Sequence, residues 1–509
     1  MRNHYLSITL LAVLGWHIDA QAQYGNKQVP RLVVNITIDQ LRSDYLESFA
    51  ANYGDHGFKK LLTEGLVFES ASYPFINPDK ASAISTIITG TTPFYHSIIG
   101  EKWIDKNSLR PVSCTNGLRQ PDAPSPAQLE VSSLGDELKV ASKGAAKIFA
   151  ISPFCDMAVL SAGHAADGAI WIDHETGEWI SSQYYSSITP PFVLSYNELN
   201  RLNKKTKKLE WQPLVTQKKP QFRHTLKGSK RYQEYQTSGL INADITALAI
   251  ACVNEQEMGT DSITDLLCLT YYAGHFNHKP LTDCQKELAD TYLRLDKDLD
   301  SLVTYLENRL GKNKVLFCIT STGYSDPEGI DYATYRIPTG TFYINRAANL
   351  LNMYFGAIWG QGRYVETYYD NQLFLNHKLL ESKRISVSDA SQRAQEFIMQ
   401  MQGVKNVFSA QQLLSSYEGT FLKIRNSFHV QHSGDLLIEV ASGWHLQNED
   451  TGEDKLSQAS IPTFPIIIYG AGIPSERVKK PVTTDRIAPT IAKSIRIRAP
   501  NACSADPLF

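Results

Sequence analysis

Apolar residues come in short uninterrupted runs separated by amphipathic stretches. Residues 31–38 (RLVVNITI) form a near-continuous β-rich run that ends in Asp39. A strand of this kind is buried on both faces, as at the centre of a parallel sheet. Asp39 then stands at its carboxyl end, where open α/β sheets bind their ligands. Residues 147–152 (KIFAIS), 265–270 (DLLCLT), 315–320 (VLFCIT) and 465–469 (PIIIY) predict further buried strands. Between them, residues 58–65 read as an amphipathic helix stopped by Gly65, and residues 80–89 (KASAISTIIT) as a helix opening just after Asn77-Pro78-Asp79. Residues 281–306 carry Leu293, Leu295, Leu299, Leu302 and Leu306 on related helical faces. The alternation predicts an α/β fold with a central, mostly parallel sheet flanked by helices.

Two stretches break the rhythm and read as insertions, at about residues 184–235 and 340–434. The first is polar and lysine-rich, interrupted by Pro190-Pro191, with Trp211 and Tyr232 as exposed-looking aromatics and a lysine run at 204–208 that reads as a solvated tip. The second has helical stretches around Leu350 and over 390–401. Its aromatics Trp359, Tyr364, Tyr368 and Tyr369 read as a packed core rather than a sugar platform.

The first residues do not belong to this pattern. Arg2, an apolar run over 6–14 and Ala20-Gln21-Ala22 read as a secretory leader, residues 1–22, with the mature domain spanning 23–509. The run is about half the roughly 20 residues a membrane-spanning helix needs. The expected location is therefore the periplasm or cell envelope, with no transmembrane segment in the mature chain. Apolar residues make up 42% and charged residues 20%, enough for a large core. Net charge is −2 without a basic tract, which excludes nucleic acid as a natural partner. Seven cysteines show neither CxxC nor zinc-ribbon spacing; Cys268 and Cys318 fall in apolar runs, and Cys114, Cys155, Cys284 and Cys503 in polar contexts where an exported protein can pair thiols.

Ile38-Asp39-Gln40-Leu41-Arg42-Ser43-Asp44-Tyr45, the helix over 57–65, Thr89-Gly90-Thr91-Thr92-Pro93 with His96, Ala162-Gly163-His164-Ala165-Ala166-Asp167, the segment 290–296, Tyr368-Tyr369-Asp370-Asn371-Gln372, Ser433-Gly434-Asp435 and the run 465–470 occur in this order. Together they resemble the periplasmic alkaline phosphatases of the type I phosphodiesterase and nucleotide pyrophosphatase branch of the alkaline phosphatase superfamily. The resemblance implies an alkaline-phosphatase-like fold and a site in which two zinc ions activate a Thr or Ser nucleophile. Its first ligand position matches, as Asp39. The nucleophile falls on Lys80, whose ammonium cannot serve as an alkoxide; Ser82 or Ser85 would need a shifted register. The Asp and His four apart become His275 and Lys279 in one alignment, or Tyr271 and His275 in another. The Asp-His doublet becomes Ser321-Thr322, and the last histidine becomes Asp454-Lys455. At the phosphate-contact positions stand Glu101, Phe154 and Asp156, and the two carboxylates repel a dianion.

Asp39, His275 and His278 remain as candidate metal ligands. The HxxH pair is a weak site on its own, since zinc takes three or four protein ligands. Lys80 suggests an ammonium that neutralises Asp39 in the place of a zinc. His96 and His164 read as structural, and His429, His432 and His445 as surface or cleft residues. The expected function is an exported, catalytically degenerate phosphatase homologue. It would bind an envelope protein, or a small ligand in the old cleft, and need no cofactor. The alternatives are a metal-dependent phosphomonoesterase or phosphodiesterase with a remodelled zinc site, and a different enzyme activity in the same cleft.

Overall fold

The computed structural model describes residues 29–117, 123–200, 209–215, 221–328, 332, 334–415, 419–458 and 461–509. The leader and the lysine run at 204–208 lie outside them. A ten-stranded sheet organises the chain. Its order runs Glu476–Val478, Leu66–Ser72, Phe464–Gly470, Val315–Ser321, Leu32–Asp39, Asp265–Tyr272, Ile148–Ser152, Gly168–Ile172, Trp179–Ser181, and Val482–Thr483 also pairs with Leu66–Ser72. The strands from Val315–Ser321 to Gly168–Ile172 are parallel. Phe464–Gly470 runs antiparallel to both neighbours, as does Trp179–Ser181 to its one. The sheet is therefore mixed but mostly parallel, as expected: the antiparallel pairings are confined to Phe464–Gly470 and Trp179–Ser181, and Glu476–Val478 and Val482–Thr483 pair parallel with Leu66–Ser72. A strand buried on both faces carries the same apolar run in either direction, so the pattern is silent on polarity.

Alternation along the central strand decides what meets the site. Leu32, Val34, Ile36 and Ile38 join the core under the long helix Leu281–Leu310, with its Leu295, Leu299, Leu302 and Leu306. Val33 points to the opposite core, where Ala83, Ile87 and Ile88 of the helix Lys80–Thr89 pack. Asp39 follows the Val33 parity and so emerges on the side of that helix. The helix itself is sharply bounded. Asp79 and Ser82 form a capping box at its start, and Gly90 closes it in the left-handed region at φ 69°.

The second insertion builds its own layer. Val365–Tyr369, Gln372–Leu375 and Val404–Ser409, with Leu436–Val440 from just beyond the expected bound, form a four-stranded sheet covered by the helices Ile344–Trp359 and Val387–Ile398. Tyr364 and Phe355 are fully buried in its core and Trp359 stacks on Phe355. In the first insertion, Trp211 and Tyr232 are buried at 0% and 2% exposure, against their exposed-looking context. Trp211 Nε1 donates to Asp290 Oδ2 at 2.6 Å, which gives the ring's polar edge a partner inside the long helix. All seven cysteines are free thiols, and Cys114 and Cys284 are buried despite their polar neighbours.

Candidate functional site

The end of the central strand turns at once. Gln40 has φ +64°, which folds the chain back after Asp39. Its N–H donates to Thr322 Oγ1 at 3.1 Å, and its Oε1 accepts from the Asp326 N–H at 3.0 Å. Thr322 Oγ1 donates to Asp39 Oδ1 at 2.8 Å, and Ser321 Oγ donates to the Leu41 carbonyl at 2.8 Å. A Cβ on Gly274 would stand 2.5 Å from Gln40 Cδ, so only glycine lets the neighbouring strand end approach this turn. Asp39 is 1% exposed. Burial pushes its carboxyl up to about 6, with the Lys80 ammonium and the Thr322 hydroxyl pulling against that rise.

Lys80 is the first residue of its helix. Its Nζ lies 3.4 Å from Glu101 Oε1 and 4.2 Å from the centroid of the Phe154 ring. Burial alone would lower it, but the carboxylates of Asp156 and Glu101, with Asp39 beyond them, hold its ammonium above the usual lysine range. Burial pushes Asp156 up against the pull of Lys80, and Glu101 adds to the push. Asp79, the helix cap, also accepts the Glu101 N–H at 2.6 Å. Lys80, Glu101, Phe154 and Asp156 share one cleft of about 1170 Å³, which continues past Trp171, His174 and Gln233. The Lys80 expectation needs correcting in one respect. The ammonium is paired with Glu101 and acts on Asp39 only through its field, while Asp39 Oδ1 accepts from Thr322.

The two candidate histidines part company. His275 Nδ1 donates to the Lys279 carbonyl at 3.0 Å, and burial lowers its pKa. His278 Nδ1 bonds Asp326 Oδ1 at 3.0 Å, which raises His278. Burial would raise Asp326, but the bond from His278 holds it below the usual carboxylate range. The two rings therefore bond different partners, although both lie within the field of Asp326. Asn277 and His278 sit at positive φ just ahead of the long helix.

A family model for type I phosphodiesterase / nucleotide pyrophosphatase matches residues 33–461. The chain belongs to this family. Alkaline phosphatase PhoV of Synechococcus elongatus is 28% identical over 93% of this chain and 91% of its own length. Alkaline phosphatase PafA of Elizabethkingia meningoseptica is 27% identical over 94% of each. A crystal structure of wild-type alkaline phosphatase PafA superposes with a TM-score of 0.82 at 24% identity, covering 94% of this chain and 98% of that one. That likeness establishes the central sheet and its flanking helices as the alkaline-phosphatase-like fold.

A type I phosphodiesterase site with two zinc ions would need carboxylates and imidazoles where this chain has other groups. Lys80 offers three donors and no lone pair. Ser321 and Thr322 spend their hydroxyls on Leu41 and Asp39. The Tyr271 hydroxyl exchanges a hydrogen bond with Thr246 at 2.8 Å, inside the core. His445 pairs with Asp454 at 2.7 Å, and Lys455 with Asp370 at 3.0 Å. Among the described residues, no three His, Cys, Asp or Glu side chains converge as a metal cage. These side chains do not fit a zinc pair. Nor does a shifted register supply a nucleophile. Ser82 Oγ donates to Asp79 Oδ1 at 2.6 Å, and Ser85 is fully buried. Lys80, Glu101 and Asp156 instead form a charge cluster around one ammonium in the wall of the cleft.

Asp326 and Asp79 were missed as site residues. Asp79 was findable, because Asp before Lys-Ala-Ser is a capping-box start. Asp326 lies in the stretch after Ser321-Thr322 and is tied to the site through Gln40 and His278, contacts no local pattern records.

Proposed function

We propose that this chain is an exported binding protein that keeps the phosphatase fold and has given up phosphoryl transfer. The observation that carries the reading is Lys80: the head of the helix that should present a nucleophilic oxygen presents an ammonium held by Glu101 at 3.4 Å. Such a group cannot attack phosphorus. The carboxylates of Glu101 and Asp156 oppose the entry of a phosphate dianion at the positions where the family resemblance implies phosphate contacts. The cleft beside them is retained and open, with Phe154, Trp171 and Ile180 beside its charged groups, which supports a small ligand there or an envelope partner docking over it. In this reading the site takes no zinc, and Lys80 supplies the positive charge that a metal would supply.

Elemental analysis of the purified mature protein after zinc exposure and desalting, with phosphomonoesterase and phosphodiesterase assays on the same sample, tests the proposal. The expected result is less than a stoichiometric metal and turnover at the background rate. About two zinc per chain, with turnover abolished by chelation, overturns it in favour of a working phosphatase with a remodelled site. That second reading draws its support from the near-full-length similarity to alkaline phosphatases PhoV and PafA.

A further inference from the structure

We propose that His429 and His432 form an acid-released latch between the inserted lobe and the hairpin that borders the cleft. The two histidines sit between the helix Gly419–Asn426 and the strand Leu436–Val440 of the lobe. They cross to the main domain and meet the hairpin Lys102–Asp105 and Arg110–Ser113. The His432 ring stacks on Trp103 at 4.4 Å and 15°, and its Nδ1–H donates to the Ser97 carbonyl at 2.9 Å. The His429 ring lies 4.7 Å from that of His432. His429 is 7% exposed, not the surface residue its context suggested, and its Nδ1 has no hydrogen-bond partner.

This contact reaches the site. Trp103 is 3% exposed and packs in one apolar cluster with Ala81 and Ile84 of the helix that begins at Lys80. The residue two before Trp103 is Glu101, the partner of Lys80. Holding His432 on Trp103 therefore holds the hairpin, and Glu101 with it, over the cleft.

Protonation works against the latch. Two imidazolium rings in contact repel each other, and Lys106, whose Nζ donates to the Val430 carbonyl at 2.9 Å, adds a third positive charge. The opposing groups are few. Glu130 Oε2 is 3.7 Å from His429 Nε2 and half exposed. Asp105 accepts from the backbone N–H groups of Asn107 and Ser108 and adds one negative charge in range of His432. Asp435, across the loop, bonds His377 at 2.8 Å and the Leu375 N–H at 2.7 Å. His96, behind the contact, is fully buried against Thr86, and burial holds it down to about 3. Burial likewise holds His429 down to about 4 and lowers His432. Released into water, both return to about 6.5. The closed pKa lies below the open one, so the latch has its full strength above about pH 6.5 and loses it as pH falls towards 4.

Hydrogen exchange with mass spectrometry on the full mature chain at pH 7.5 and pH 5.0, corrected for intrinsic exchange rates, tests this. Peptides covering residues 94–106 and 427–433 should lose protection at pH 5.0 by a factor of about ten or more. Those covering 265–272 in the central sheet should not change. The double variant His429→Phe/His432→Phe keeps two rings that cannot titrate and should stay protected at both pH values. His429→Gln/His432→Gln serves if the bulkier pair disturbs the loop. Acid-insensitive protection in the natural chain overturns the latch. So does an unchanged acid response in whichever non-titrating pair retains native protection at pH 7.5.

Discussion

Lys80 Nζ stands 3.4 Å from Glu101 Oε1, over the face of Phe154 and within the field of Asp156 and Asp39. The ammonium is the counter-ion of an acidic cluster at the wall of the cleft. Removing it leaves Asp39 and Asp156 with less compensation; because Glu101 is 45% exposed and solvent-screened, the cost is roughly 1–3 kcal/mol, below that of breaking a fully buried pair. Lys80→Met should therefore unfold at clearly lower urea concentration at pH 7.5. The deficit should shrink at pH 5, where Asp39, pushed up to about 6, can take up a proton instead. Urea denaturation at the two pH values reads this directly, and a variant as stable as the natural chain at pH 7.5 would show that the cluster does not depend on Lys80.

Asp39 should leave its mark on the pH dependence of stability. Its carboxyl is pushed up to about 6 from an ordinary value of 3.8, so the folded state binds its proton more tightly than the unfolded one. A group of this sign contributes stability in acid that is lost as pH rises from about 4 through 6, in total roughly 2–3 kcal/mol. Asp39→Asn stays neutral, can still accept from Thr322, and should lack that loss. The expected outcome is that the variant gains on the natural chain as pH increases over this window. Parallel stability curves would mean that Asp39 is already ionised at pH 4.

Giving the helix head a hydroxyl should not restore chemistry. Lys80→Thr supplies the missing oxygen, but Ser321, Thr322 and Tyr271 remain where the metal ligands would be, and Glu101 and Asp156 remain in the anion's path. Hydrolysis of an aryl phosphate by this variant, with zinc present, should stay at the uncatalysed rate. Measurable zinc-dependent turnover would mean that the departures at those ligand positions are not what silences the site.

Much of this was legible in the residues, for reasons that differ by element. The strand Leu32–Asp39 and the helix Lys80–Thr89 follow from apolar runs and a helix start that need no tertiary information. Placing Lys80, Glu101, Phe154 and Asp156 at one site required the ordered family blocks, because they sit on three separate elements. The pairing inside that group was not legible. Lys80 had several carboxylates to choose from, and Glu101 is brought beside it by its own N–H bond to Asp79, a contact across twenty-two residues. Trp211 shows the same limit. A tryptophan beside Gln212 and Pro213 looks exposed until the long helix offers Asp290 to its N–H.

Trp211→Phe tests how the first insertion is held. The substitution keeps most of the ring contacts with Phe222 and Phe276 and removes the hydrogen bond to a carboxylate, worth about 1.5–3 kcal/mol. Asp290 retains Arg294, so the long helix should survive. Limited trypsinolysis should then cut near Arg223 or Lys227 faster than in the natural chain, with global unfolding little changed. Equal cleavage rates would place the anchoring of the insertion elsewhere.

The antiparallel strand Phe464–Gly470 lies between Val315–Ser321 and Leu66–Ser72. A ribosome must therefore deliver nearly the whole chain before those two strands can be joined. Until then each keeps an open edge of unpaired peptide groups, the kind of edge that recruits other chains. Sheet closure between partners some four hundred residues apart also puts the loop-closure cost at the end of assembly, which favours slow maturation. Synthesis rate and chaperone supply, more than any property of the finished cleft, should then govern how much of this protein survives to be folded.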